Sequence, residues 1–418
     1  MKKLFYLMLL TFSLAHFTTF SSTWRMFFYM DASADLSDMA IKNITDMMRG
    51  NPSDNVTIVI QLHAYGSSAL RYEVIGNKLQ FIEEVILSGD AKADFKDAAS
   101  WALGNTFADH TMIIFSNHGW GALDPHWSDE KNDWLAAEQS FSDDNSLSCS
   151  INKSRKIVHQ EHKGFMFNKN SQTYLTNKDI GECLDYIHQD LLGKEIDVVA
   201  FDTCMGSMLE VATVLAPHAY YSFGVQSCAL LDGFDYQAFV KILNEGLSPQ
   251  ETVAAFVHAF EAYYAIHDQA KIYTSSAIDL KRIDAINLVI NNIVDILVEH
   301  PEYVSLLKQA RKATPRFCLW PIYTDPIAFF KIFESIIKEL PTCDVASDLI
   351  ESMHVLYQRM DDAVVARCGG ETTEGMAHGL SIYLPSHTID RSYRISPFTE
   401  YSHWIQLLTM ICAEELQD

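Results

Sequence analysis

Apolar runs that end on polar or glycine-containing turns recur along this chain, and most are followed by a stretch of helical period. Residues 24–30 (WRMFFYM) and 56–62 read as buried strands. Residues 111–115 form a third, leading into Ser116-Asn117-His118-Gly119. Between them, Ser37 or Asp38 caps a helix through Met48, which Gly50-Asn51-Pro52 ends. Residues 91–103 predict a helix with Phe95, Ala98, Ala99 and Ala102 on one face. Residues 70–87 fit either a hairpin or a helix.

The pattern dissolves between 121 and 171, a long irregular stretch of the kind that is usually functional or mobile. It resumes at Thr176, which caps a helix to about Leu191. The strand at 198–202 follows, and then Thr203-Cys204-Met205-Gly206-Ser207. A helical pattern over Met208, Leu209, Val211, Ala212 and Leu215 comes next, placing Cys204 just ahead of a helix N-terminus. Residues 220–226 are strand-like. Ser248-Pro249-Gln250-Glu251 is a capping box opening a helix to about His267. A strand at 271–277 precedes mostly helical sequence to about Arg367, with a late strand at 379–385. Strands alternating with helices predict an α/β fold with a mostly parallel sheet and helices on both faces.

Composition narrows the class. At 418 residues with 48% apolar and 20% charged residues, the chain is globular. Its net charge of −23 argues against a nucleic-acid partner, since phosphate neutralisation needs excess Lys and Arg. Lys2 and Lys3 ahead of a short apolar run to Ala15 form the pattern of a secretory signal, too short for a comfortable membrane span. Eight cysteines, at 149, 183, 204, 228, 318, 343, 368 and 412, suit an oxidising compartment, but they form no dense disulfide framework and no C-x-x-C pair. Asn43, Asn55 and Asn152 lie in N-x-Ser/Thr sequences.

In an open α/β sheet, ligands sit at the carboxyl ends of the strands. One strand there delivers His118 and another Cys204, the makings of a nucleophilic thiol and its base. Gly119, without a Cβ, lets its N–H approach a substrate oxyanion, and the N–H of Cys204 is a second donor. The plainer alternatives are a turn at His118-Gly119 and a buried apolar Cys204.

Taken together, WRMFFYMDASADL, ADHTMIIFSNHGWG, YLTNKDIGECL, IDVVAFDTCMGSMLEVA and GLSIYLP resemble the clostripain family of caspase-like cysteine peptidases. The resemblance spans residues 24–385 in the family's order. It implies a caspase-like three-layer α/β sandwich, with a catalytic part at 23–240 after a leader at 1–22. A largely helical part at 241–418 then packs late strands on the first. It implies a secreted or periplasmic endopeptidase with His118 as base and Cys204 as nucleophile. Asp202 and Asp232 would line the pocket for the residue before the scissile bond, suiting Arg or Lys. Its partners are then proteins or peptides with basic residues.

No organic cofactor is implied, and calcium is an option through Asp143 and Asp144, which lack EF-hand spacing. The resemblance also implies activation by autoprocessing in the 121–171 stretch, where Lys153, Arg155, Lys156 and Lys163 offer basic sites; a solvated basic loop is the plainer alternative. The sequence departs from the family at Phe167-Asn168-Lys169-Asn170, at Gln226-Ser227-Cys228 and at Phe234. Two other classes stand beside this reading. One is a catalytically silent homologue that binds a partner; the other is a metal-dependent hydrolase using His126, His159 and His162.

Overall fold

Nine strands form one sheet: β1 (Trp24–Asp31), β2 (Val56–His63), β3 (Ser68–Ile75), β4 (Lys78–Ile86), β5 (His110–Ser116), β6 (Ile196–Asp202), β7 (Ala219–Gly224), β8 (Thr274–Asp279) and β9 (Val364–Gly369). They lie in the order β9-β8-β7-β6-β5-β1-β2-β3-β4. The central five, β7-β6-β5-β1-β2, are parallel, and an antiparallel pair extends the sheet on each side. The computed structural model describes residues 22–412, apart from 33–35, 64, 65, 67, 125, 129–132, 136–164, 169, 231, 267–271, 318–321, 342 and 374. At 126–128 and 133–135 it describes the backbone alone.

Each central strand is apolar on both sides because both faces of the sheet are covered. On one face lie α1 (Ser37–Gly50), α5 (Tyr236–Asn244) and α6 (Pro249–Ala265), packed over Met26, Phe28, Met112, Ile114, Val198 and Ala200. On the other lie α2 (Ala91–Leu103), α3 (Asn177–Tyr186), α4 (Leu209–Leu215) and α7 (Ile283–Glu299), with the later helices outside them. These are α8 (Val304–Ala313), α9 (Pro326–Lys338), α10 (Asp344–Ala363), α11 (Phe398–Tyr401) and α12 (Trp404–Cys412). The result is a three-layer, caspase-like α/β fold.

Phe115 and Phe201 are register partners on β5 and β6, with rings stacked 5.2 Å apart, and Phe95 of α2 stacks on Phe115 at 5.1 Å. Side chains alternate along a strand. The aromatic pair therefore fixes the α2 side of the sheet, and the next residues, Ser116 and Asp202, turn to the α1–α5 side. They too are partners in register.

Several local expectations are resolved. Residues 70–87 belong to a hairpin, β3–β4, turning at Gly76 with φ +57. The α2 helix has the predicted bounds and buried face. Thr176 and Ser248 each close a capping box. Ser37 is the first residue of α1 and not its cap; Leu36 holds the cap position without a side-chain bond, and Asn51 ends the helix in the left-handed region. The late strand is short, Ile382–Tyr383, and pairs with Tyr323–Thr324. Among the described residues no helix is long and apolar enough to cross a membrane.

Candidate active site

Because Ser116 and Asp202 end their strands side by side, the residues two positions further along each chain emerge together. These are His118 and Cys204, and both line one pocket of about 120 Å3 at the carboxyl ends of β1, β5 and β6. This is also where the sheet order reverses, between β1 and β5. Asp202, Asn117 and Gly233 line it as well, with α1 along one side.

Cys204 is half-buried on a tight turn. Met205 follows it at φ +56, a region costly for a side chain with a Cβ, and such strain persists only where the surroundings fix it. Here Met205 N–H donates to Ser227 O and Ser207 N–H to Val225 O, each at 2.9 Å. The Ala229 N–H donates to Cys204 Sγ at 3.2 Å, which holds the thiol in place. The thiol is not, however, at a helix N-terminus. The α4 helix begins at Leu209, because residues 205–208 are spent on the turn and on a bridge from Met208 to Ser381.

Gly119 packs directly on this turn. A Cβ there would lie 2.4 Å from Cys204 O and 2.5 Å from Thr203 Oγ1, so only glycine lets the two loops meet. Asn117, which sequence reasoning passed over, ties the loop down. Its Nδ2 donates to Asp31 O at 2.6 Å and to Phe167 O at 3.3 Å, while its Oδ1 accepts from Phe167 N–H at 3.1 Å.

Asp202 is buried, with 8% of its surface exposed. Burial pushes its carboxyl up to about 6; the Tyr236 hydroxyl, the charge of Lys42 and the Phe234 N–H pull the other way. Gly233, at φ +64, leaves room beside it, since a Cβ there would lie 2.9 Å from Asp202 Oδ2. Asp202 Oδ2 accepts from Tyr236 Oη on α5. Asp232 is partly buried next to Gly233 and is not among the residues lining the pocket. Its carbonyl accepts from Lys42 Nζ at 3.2 Å, and that ammonium also pairs with Asp46 at 3.1 Å.

Asn43, noted in the sequence only as a glycosylation pattern, is buried against the pocket and unavailable to a glycan. Asp143, Asp144, Asn152, the basic residues at 153–163, His159, His162 and the 1–21 leader lie outside the described residues, as does the side chain of His126. Among the described residues no cluster of three His, Cys, Asp or Glu side chains could hold a metal.

A sheet of this topology carrying a histidine and a cysteine on adjacent strand ends defines the caspase-like class. A family model, described as the clostripain family, matches residues 150–410; that span includes Asp202, Cys204 and Asp232 but not His118 or Gly119. The chain belongs to the clostripain family of cysteine peptidases. A secreted C11 cysteine protease of Bacteroides thetaiotaomicron is similar in structure, with TM-score 0.61 and 13% identity over 93% of this chain and 99% of that one. A C11 protease of the same organism in complex with an irreversible peptide inhibitor gives 0.62 and 15%, over 92% and 99%. An inactive zymogen C11 protease of Parabacteroides distasonis gives 0.58 and 14%, over 93% and 98%. No curated protein sequence matches the chain.

Proposed function

We propose that the protein is an exported endopeptidase that cleaves after Arg or Lys through a Cys204–His118 dyad, without an organic cofactor. The observation that carries this reading is the single pocket lined by His118, Cys204 and Asp202. In this mechanism Cys204 Sγ attacks the scissile carbonyl carbon, and the N–H groups of Gly119 and Cys204 receive the oxyanion. His118 passes the thiol proton to the leaving amine as the C–N bond breaks, and water then hydrolyses the thioester. Asp202 meets the cationic side chain, with Asp232 adding negative charge from beside the pocket. Export rests on the leader-like residues 1–22, and activation rests on a cut in the 121–171 stretch.

The test is hydrolysis of matched peptides ending in Arg, Lys, Leu or Asp by wild type and Cys204→Ala, with and without chelator. Cleavage after Arg or Lys that the substitution abolishes and chelator leaves intact is the expected result. Cleavage only after Leu or Asp would remove the roles given to Asp202 and Asp232. No cleavage, even after a cut in the loop, would leave a silent binding homologue.

A further inference from the structure

A short strand outside the main sheet holds the backbone on both sides of His118. Residues Phe165–Asn168 are buried and return through Thr173–Leu175 as a hairpin. Asn168 Oδ1 closes its turn, accepting from the Asn170 and Ser171 N–H groups at 3.0 Å each. Gly119 pairs with Phe165 in an antiparallel bridge. Two residues back, the Asn117 amide pairs with Phe167: Oδ1 accepts its N–H at 3.1 Å and Nδ2 donates to its carbonyl at 3.3 Å. The two anchors share one antiparallel register, which sets His118 opposite Met166.

A side-chain amide carries an acceptor and a donor side by side, as a peptide group does. Asn117 thus stands in for a strand neighbour where β5 has already ended at Ser116. Its Nδ2 also donates to Asp31 O at the end of β1, so one side chain joins the hairpin, β1 and the His118 loop. Beyond the glycine the loop is tied separately, Gly121 O accepting from Asn177 Nδ2 on α3 at 3.0 Å.

The hairpin reaches the cysteine strand as well. The Phe165 ring lies 4.9 Å from that of Phe201 on β6, just ahead of Cys204. Between the two anchors Met166 sits at φ +58, and the hairpin's own pairing shifts register there. Strain of that kind persists only where the surroundings fix it, and bulges beside active sites re-aim the residues next to them.

We propose that Asn117 is a positioning residue of the dyad, through which the hairpin sets the backbone ahead of His118 and with it the reach of the imidazole to Cys204. This rests on the Cys204–His118 reading above and deepens it. Asn117 transfers no proton itself. Without its amide, Asp31 O and the Phe167 backbone lose this partner, and the histidine keeps its ties on the glycine side alone.

The experiment uses the best-cleaved of the matched peptides and compares wild type, Asn117→Leu, Asn117→Asp, His118→Ala and Cys204→Ala. It reads kcat and KM across pH, thermal midpoints, and the iodoacetamide rate at Cys204 with the exposed Cys343 as internal reference. A shift of about 1 Å in a reacting group costs roughly 100-fold in rate, so Asn117→Leu should lower kcat by about 10- to 100-fold. KM should stay within about threefold, and labelling of Cys204 should slow while that of Cys343 does not. Asn117→Asp keeps the size of the side chain. Ionised, it turns an acceptor toward two carbonyl oxygens; protonated, it regains a donor beside an acceptor. Its kcat relative to wild type should therefore rise as pH falls, while the ratio for Asn117→Leu stays level. Dividing by wild type removes the titrations of His118, Cys204, Asp202 and the Asp31–His63 pair, which all the Asn117 variants share.

If His118→Ala and Cys204→Ala are inactive but both Asn117 variants keep wild-type kcat and Cys204 labelling, even with a lower melting point, the inference fails while the dyad stands. A level ratio for Asn117→Asp would also overturn it. If His118→Ala cleaves as wild type does, or wild type cleaves nothing after the loop is cut, the dyad reading fails and takes the inference with it. The isosteric Asn117→Asp keeps the test open should leucine not fit the site.

Discussion

Tyr236 donates its hydroxyl to Asp202 Oδ2 at 2.8 Å, and both side chains are buried. Burial dominates, so the Asp202 carboxyl is pushed up from 3.8 to about 6 in spite of that bond. As pH falls through about 6, Asp202 takes up a proton and stops attracting a cation. The expected outcome is a kcat/KM for Arg peptides that drops on that limb while a norleucine peptide holds. Tyr236→Phe removes a bond to the charged form and should move the drop to higher pH. Coincident pH profiles for the two peptides would show that Asp202 does not meet the substrate's charge.

Gly119→Ala should be among the most damaging small substitutions in the chain. The added Cβ would sit 2.4 Å from Cys204 O, so the His118 and Cys204 loops must part. Overpacking of this kind costs about 1–3 kcal/mol in stability. A shift of about 1 Å in the reacting groups costs roughly 100-fold in rate. Melting curves and kcat on the same samples separate the two effects; a folded, fully active variant would contradict the close approach.

Glu210 governs a different pH response. It is fully buried on α4, its Oε1 accepting from Tyr383 N–H at 2.8 Å and the Tyr393 hydroxyl at 3.0 Å, while Oε2 is unpartnered among the described residues. Burial raises its carboxyl from 4.5 to about 7. A carboxyl whose folded value is raised binds its proton more tightly in the native state. Its contribution to stability is thus full below about 4.5 and lost as pH rises to about 7, a change on the order of 3 kcal/mol. Glu210→Gln should flatten that part of the stability–pH curve measured by urea unfolding. A curve of unchanged slope would mean that Glu210 ionises as freely in the native state as in the unfolded one.

The thiols differ in their expected reactivity. Burial pushes Cys183 and Cys368 each up to about 12, so neither should react near neutral pH. Cys343 is exposed at the start of α10, and the Ala346 N–H pulls its thiol below its ordinary value. Iodoacetamide should therefore label Cys343 as well as Cys204, whereas an Arg-directed peptide electrophile should label Cys204 alone. Mass spectrometry of digests decides this, and labelling of Cys183 ahead of both would contradict the burial.

The elements that put the site together were visible in the sequence wherever a short-range signal existed. Continuous apolar runs locate β1, β5 and β6, a period of 3.6 locates α2, and cap residues at Thr176 and Ser248 locate the starts of α3 and α6. The two strand ends carrying His118 and Cys204 are legible for the same reason: an apolar run stops at each. The register that sets Ser116 beside Asp202 is a long-range property and leaves no local trace. Tyr236 and Asn117 were missed because their roles come from what they face across the fold. The helical spacing of Leu36, Met39, Ala40 and Asn43 was in the sequence, but nothing local says that this face lines a pocket. The helix start at Met208–Leu209 is legible, but the turn that separates Cys204 from it, with Met205 at positive φ, leaves no signal in the sequence.

The strand order β9-β8-β7-β6-β5-β1-β2-β3-β4 divides cleanly by chain position. Every strand before the 121–171 stretch lies to one side of the β5–β6 pairing, and every strand after it lies to the other. A cut in that stretch therefore yields two half-sheets joined edge to edge along one seam, with the histidine on one piece and the cysteine on the other. Under the proposed mechanism such a molecule would be a split enzyme. Its two fragments, expressed separately, have complete and non-interleaved sheets, and competence would return only when the seam closes.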